Sequence, residues 1–252
     1  HLAIVKMMIE LGAKDYDWGL QYACKGGHIG IVKMMIDLGA TAYDWGLAYA
    51  CEGGHLDIIR IMLYFGASDY NWGLYGACKG GHHEVVNMML SLGANDYNYG
   101  LRGACEGGHL EIVKMMLSLG ADNYKQGFEY ACRGGHLEIV NMMLDFGGTS
   151  YKYELYGACK ICNLELVKMM LDLGATDYNW GLHGACEGGH LELVKMMLDL
   201  GADDYNCLKN RNLALQILFI RLTRKVIYLS IKEEHPEYHL LKVYNKKVPN
   251  ID

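Results

Sequence analysis

The sequence predicts an all-α fold, a solenoid of stacked helix–turn–helix units, and three observations lead to it. The first is a strict period of 27 residues: His1, His28, His55, His82, His109 and His136 are followed by Asn163 in the same phase and then by His190. The second is an apolar arc of helical spacing in each of the eight copies, closed by a glycine. The third is composition: 32 glycines stand beside 2 prolines in a chain that is 52% hydrophobic, which in a folded protein means many turns of one kind.

Each element of the unit follows from its residues. The second helix is the clearer. Leu110, Val113 and Leu117 fall on one face and Ile112, Met116 and Leu119 on the neighbouring one, leaving a narrow wet strip at Glu111, Lys114 and Ser118. An arc that wide suits a helix buried against the units before and after it. Gly120 and its seven counterparts stand where a helix ends in a left-handed residue. The first helix reads as the shorter one, about Trp72 to Lys79, with Asn71 or its counterparts Asp17, Asp44, Asn98 and Asn179 placed to cap its free amides. Ala-Cys recurs in its middle in seven of seven copies, small enough for close approach between units, and Gly-Gly then makes the turn.

Gly-His-Leu-Glu-Ile-Val-Lys-Met-Met-Leu-x-x-Gly-Ala, as at Gly108 to Ala121, resembles the second half of an ankyrin repeat, and the preceding Gly-Leu-x-x-Ala-Cys is similar to that family's Pro-Leu-His-x-Ala-Ala. The resemblance covers residues 1 to about 206. It implies ankyrin-like helix pairs and partner binding on a concave face. The family unit has about 33 residues, so this one lacks about six, which points to a short linker in place of the β-hairpin finger. Trp-Gly also replaces the family's Thr-Pro at the start of the first helix, so the family's capping bonds do not carry over. Short units of this sort resemble those of large arrays in DNA viruses of protists. A leucine-rich repeat also allows this period, but its Leu-x-x-Leu-x-Leu-x-x-Asn run is absent.

The residues that suggest chemistry are dispersed by the repeat. Cys24, Cys51, Cys78, Cys105, Cys132, Cys159 and Cys186 share one phase. Packed helices lie about 8–10 Å apart, whereas a disulfide needs Cα atoms within about 7 Å, so the row reads as reduced structural filling in an intracellular, cytoplasmic compartment. Cys159 and Cys162 have Cys-x-x-Cys spacing, but Cys162 takes the second turn glycine's place and no second pair completes a zinc site. Histidines spaced by a repeat cannot converge on one ion, and Asn163 in their row favours a local hydrogen bond at the start of the second helix. No nucleophile–base order, phosphate-cradling loop or paired acids in a cleft appears. The expectation is no enzyme, no cofactor and no metal.

The surface carries the remaining signals. Methionine pairs such as Met115 and Met116 read as core, and the tyrosines from Tyr16 to Tyr205, one per linker, as structural. One aromatic per unit, Trp18, Trp45, Trp72, Tyr99, Tyr153 and Trp180, stands at the start of the first helix and suits either inter-unit packing or a binding face. Residues 1–206 hold 14 Lys and Arg against 25 Asp and Glu, a net of −11, so the repeats should repel nucleic acid. At the end of the first helix Lys25, Glu52, Lys79, Glu106, Arg133, Lys160 and Glu187 nearly alternate in sign, as pairs across units would. The alternation fails at Arg133 and Lys160. In those two units Lys125 and Lys152 replace Asp or Asn, Gln126 replaces Trp and Glu154 replaces Gly, which predicts a basic patch for an acidic partner segment over residues 122–160.

Two domains follow: an ankyrin-like array over 1–206, whose first unit lacks its first helix, and a basic segment over 207–252, with 9 Lys and Arg against 4 Asp and Glu. The latter reads as a C-terminal helix from Leu208 to about Ile231 that caps the stack, or docks on a membrane or second protein, followed by an irregular tail. No run is apolar enough to span a membrane. The chain starts at His1, so the initiator and upstream repeats are expected to precede it. The function expected is a monomeric, non-catalytic protein–protein interaction scaffold, the alternative being a structural or self-assembling repeat spacer.

Overall fold

The structure, a computed structural model, describes residues 2–148 and 152–204. Among these residues there are fifteen helices and no strand. The first helices of the units are α2 (Tyr16–Lys25), α4 (Tyr43–Gly53), α6 (Tyr70–Gly80), α8 (Tyr97–Gly107), α10 (Tyr124–Gly134), α12 (Lys152–Lys160) and α14 (Tyr178–Gly188). The second helices are α1 (Leu2–Glu10), α3 (Ile29–Asp37), α5 (Leu56–Tyr64), α7 (His83–Ser91), α9 (Leu110–Ser118), α11 (Leu137–Asp145), α13 (Leu164–Asp172) and α15 (Leu191–Asp199). The chain forms two compact units, His1–Gly157 and Ala158–Asp252. In the first, consecutive first helices pack side by side from α2 through α10, and each lies against the second helix of its own repeat. The proposed C-terminal helix and tail, and Tyr205 with them, lie outside the described residues.

The core is drawn from the same places in every copy. Ile112, Val113 and Met116 of α9 are fully buried, and Leu101, Ala104 and Cys105 of α8 face them. Leu110, Met115 and Leu117 are half-buried, while Leu119, grouped with the core from its spacing, is 40% exposed because α9 has already ended. From α3 onward the first of each methionine pair is thus a rim residue and the second a core residue. In α1, Ile4 and Met8 are exposed although their counterparts Ile31 and Met35 are buried.

Three local expectations are corrected. The first helix is the longer one: α6 runs over 11 residues against 9 in α7, because it begins at the tyrosine and includes the first glycine of the pair. That early start moves the cap. Asp69, Asp96 and Asn123 accept hydrogen bonds from the amides of Trp72, Tyr99 and Gln126. The expected caps, Asn71 and its counterparts, lie inside the helix and reach instead to the next linker. Asn71 Oδ1 accepts from the Asn95 and Asp96 amides at 2.9 Å each, and Asp17, Asp44, Asn98 and Asn179 make the same pair of bonds 24 and 25 residues on. This clamp satisfies linker amides that the shortened finger leaves without a strand partner.

The histidines also act between units and not locally. His55, His82, His109 and His136 cap nothing with their side chains; each Nε2 donates to the carbonyl of Lys25, Glu52, Lys79 or Glu106 at 3.0–3.2 Å. Asn163 does make the local bond, accepting from the Leu166 amide at 3.1 Å, because its shorter side chain turns back on its own helix. Glycine makes room for the imidazole: a Cβ on Gly81, at φ 78°, would come within 2.4 Å of His109.

Candidate binding face

The first helix presents one face through its third, sixth, seventh and tenth residues, the i, i+3, i+4, i+7 set of a single helical stripe. In the His1–Gly157 unit these stripes lie side by side, and aromatic rings fill them. Trp18 stacks on Tyr22 at 6.0 Å between centroids, Tyr22 meets Tyr49 at 5.9 Å, and Trp45 meets Trp72 at 4.8 Å. Trp72 continues to Tyr99 at 5.8 Å and Tyr75 to Tyr99 at 6.2 Å. Trp18 is 54% exposed and Trp45 46%, while Trp72 and Tyr99 are half-buried. The aromatic row therefore packs between repeats and also keeps exposed area. Its rings pack between repeats, each pair adding about 0.5–1.5 kcal/mol at most, and its outer edges remain a surface.

Residues seven and six alternate in a way that period alone conceals. Where residue seven is Tyr22, Tyr49 or Tyr130, residue six is Gln21, Ala48 or Glu129; where residue six is Tyr75 or Arg102, residue seven is Gly76 or Gly103. The glycines allow the next helix in close, since a Cβ on Gly76 or Gly103 would reach the carbonyl of Ala48 or Tyr75 at 2.1 or 2.4 Å. Tyr22, Tyr49, Tyr75, Arg102 and Tyr130 all belong to the face and were missed from sequence. Counting forward three and four residues from the tryptophan row would have found them.

The tenth residues form the charge line. Lys25 Nζ lies 2.9 Å from Glu52, and Lys79 lies 2.9 Å from Glu106 and 3.7 Å from Glu52. Tyr75 donates its hydroxyl to Glu106 as well. Burial pushes the Tyr75 hydroxyl up to about 12, and the bond to Glu106 adds to the rise. Burial by itself would raise Glu106, but the bonds from Tyr75 and Lys79 hold it below the usual carboxylate range. The pairing expected between units is thus present. These pairs are partly exposed, so each contributes about 0–1 kcal/mol.

The predicted basic patch is only partly assembled. Lys125 and Arg133 are exposed and Gln126 is half-buried in α10. Lys125 takes the clamp position but carries no acceptor oxygen. The side chains of Lys152 and Tyr153 lie outside the described residues, and Glu154, counted among the substitutions, is buried and adds nothing to the surface. In the Ala158–Asp252 unit Lys160 is paired with Glu187 at 2.7 Å, and Trp180, 36% exposed, meets His183 at 5.9 Å.

Seven cysteines are buried in their row, and burial raises the thiols of Cys24, Cys51, Cys78, Cys105, Cys132 and Cys159, that of Cys24 to about 12. Cys162 is exposed at φ 61° in the glycine's place. Among the described residues no three His, Cys, Asp or Glu gather where they could hold a metal ion, and no helix is long and apolar enough to cross a membrane.

The comparison with curated proteins gives no match. The family model described as ankyrin repeats, in 3 copies, matches residues 20–99, the segment from Leu20 of α2 to Tyr99 of α8 that carries most of the aromatic face. Residues 20–99 thus carry ankyrin repeats, and helix pairs of the same design recur at the 27-residue period among the described residues outside that segment.

Proposed function

We propose that the chain is a non-catalytic interaction scaffold that receives a protein partner on the first-helix face of its repeats. Ankyrin repeats generally serve as protein-interaction modules, and the observation that carries the reading here is the run of exposed aromatic edges from Trp18 and Trp45 across Trp72, Tyr75 and Tyr99. A tryptophan edge left in water gains by covering, and aromatic anchors of this kind are worth about 2 kcal/mol or more when an interface buries them. Lys125, Gln126 and Arg133 extend the face. Its buried, protonated thiols suit a reducing intracellular compartment.

Affinity capture from cell lysate with the full chain tests the reading. Trp18→Ala combined with Trp45→Ala removes exposed anchors without opening the core, and Glu111→Ala with Lys114→Ala alters the wet strip of a second helix. A defined set of proteins should be retained by the wild type and the second-helix variant and lost from the tryptophan variant. Equal recovery by all three proteins would remove this face as the binding one, and no specific recovery by any of them would favour the spacer.

A further inference from the structure

Two cations on the first-helix face take no part in the pairing along the charge line. Lys25 and Lys79 are neutralised by Glu52 and Glu106. Among the described residues Arg102 and Arg133 make no ion pair with a carboxylate, and Arg102 Nε is buried with no hydrogen-bond partner. Tyrosine rings hold them instead. The Arg102 guanidinium lies 4.3 Å from the centroid of Tyr130, 5.2 Å from Tyr75 and 5.7 Å from Tyr99, and that of Arg133 lies 4.6 Å from Tyr130. Both guanidinium groups therefore share the Tyr130 ring.

A guanidinium laid on a ring uses its π-face for stacking and keeps its N–H edge, whose fork matches a carboxylate in bidentate fashion. Ring contact also fixes the long side chain before any ligand arrives, which removes much of the entropy cost of binding. Two fixed cations close together, with neither neutralised by an ion pair, favour an anion between or beside them. The remainder of the array is acidic, so an acidic ligand finds attraction at this place and repulsion elsewhere.

We propose that Arg102 and Arg133, mounted on Tyr130, form a receptor for carboxylates of an acidic peptide segment in the partner. The inference rests on the first-helix face being the partner-binding one. It keeps Arg133 of the expected basic patch and replaces the lysines at 125, 152 and 160 by Arg102, which lies in the repeat before the charge irregularity. The ligand proposed is a carboxylate, and because the guanidinium fork also matches a phosphate, the test below separates the two. Tyr99 and Trp72 beside the receptor supply an apolar floor, so the segment should carry an aromatic or aliphatic residue next to its acids.

The test titrates the full chain with three short synthetic peptides: alternating Glu and Tyr, the same with Gln for Glu, and the Gln form with one phosphotyrosine. Binding is read by anisotropy of a fluorescent label and by nitrogen-edited NMR of the arginine Nε–H groups. The Glu peptide should bind and shift the Arg102 and Arg133 signals. The Gln peptide, and the Glu peptide against Arg102→Gln or Arg133→Gln, should each bind about tenfold more weakly, the loss expected for one charge-assisted bond. Equal binding of the Glu and Gln peptides, unmoved arginine signals, or tighter binding of the phosphotyrosine peptide would overturn the proposal, and the wild-type NMR reading holds even if a variant fails to fold. Lysate capture with the double arginine variant separates the two claims. Recovery that survives in that variant but is lost with the tryptophan pair sinks the receptor alone; recovery that survives in both sinks the face itself.

Discussion

Single residues show how a repeat tolerates exceptions. Cys162 is a non-glycine residue held at φ 61° where Gly27, Gly54, Gly81, Gly108, Gly135 and Gly189 stand in other copies. An L-residue in the left-handed region costs about 1–2 kcal/mol relative to glycine. Cys162→Gly should therefore raise stability by about 1 kcal/mol, read as a higher midpoint in urea, and an unchanged or lower midpoint would show that the thiol makes a compensating contact. The glycine phase made this position visible in sequence. The role of the histidine row was not visible, because its partners are backbone carbonyls 30 residues upstream, and a carbonyl has no letter.

Elements meet through small residues whose tolerance depends on neighbours. In an isolated helix Gly→Ala gains about 1 kcal/mol. At Gly103 the added methyl would lie 2.4 Å from the Tyr75 carbonyl, a backbone atom that cannot step aside, so Gly103→Ala should lose about 1–3 kcal/mol through overpacking. Gly157 holds the same place in α12, where the nearest atom is Arg133 Cα at 3.5 Å, an ordinary contact. Gly157→Ala should be neutral or gain up to about 1 kcal/mol. Thermal melts of the two variants check the pair, and two changes of the same sign would contradict the close approach of α6 and α8. Helix existence and period were legible because they depend on local spacing. The clamp from Asn71 and its counterparts was misread as a local cap, since the same side-chain oxygen can serve either amide set and only the starting residue of the helix decides between them.

At the scale of the whole molecule, stacking couples protonation to stability. Burial lowers the His109 pKa below its ordinary 6.5, opposed by its bond to the Lys79 carbonyl, with His136, His82 and His83 adding to the drop. A base whose folded pKa is depressed binds its proton more readily when unfolded, so its contribution is present above pH about 6.5 and is lost as pH falls through the folded value. Melting temperature should drop between pH 7.5 and 5.5 more in the wild type than in His109→Asn, and equal drops would remove His109 as the cause. The sequence by itself determined the repeat, its helix pairs, the buried rows and the impossibility of gathering one-per-unit residues at a point, because each of these follows from spacing along the chain. Only the tertiary structure decided which side chains of adjacent repeats meet: the amide clamp, the histidine–carbonyl bonds and the arginines resting on Tyr130. Those contacts depend on how far one helix stands from the next, a distance set by packing across units and encoded in no single period.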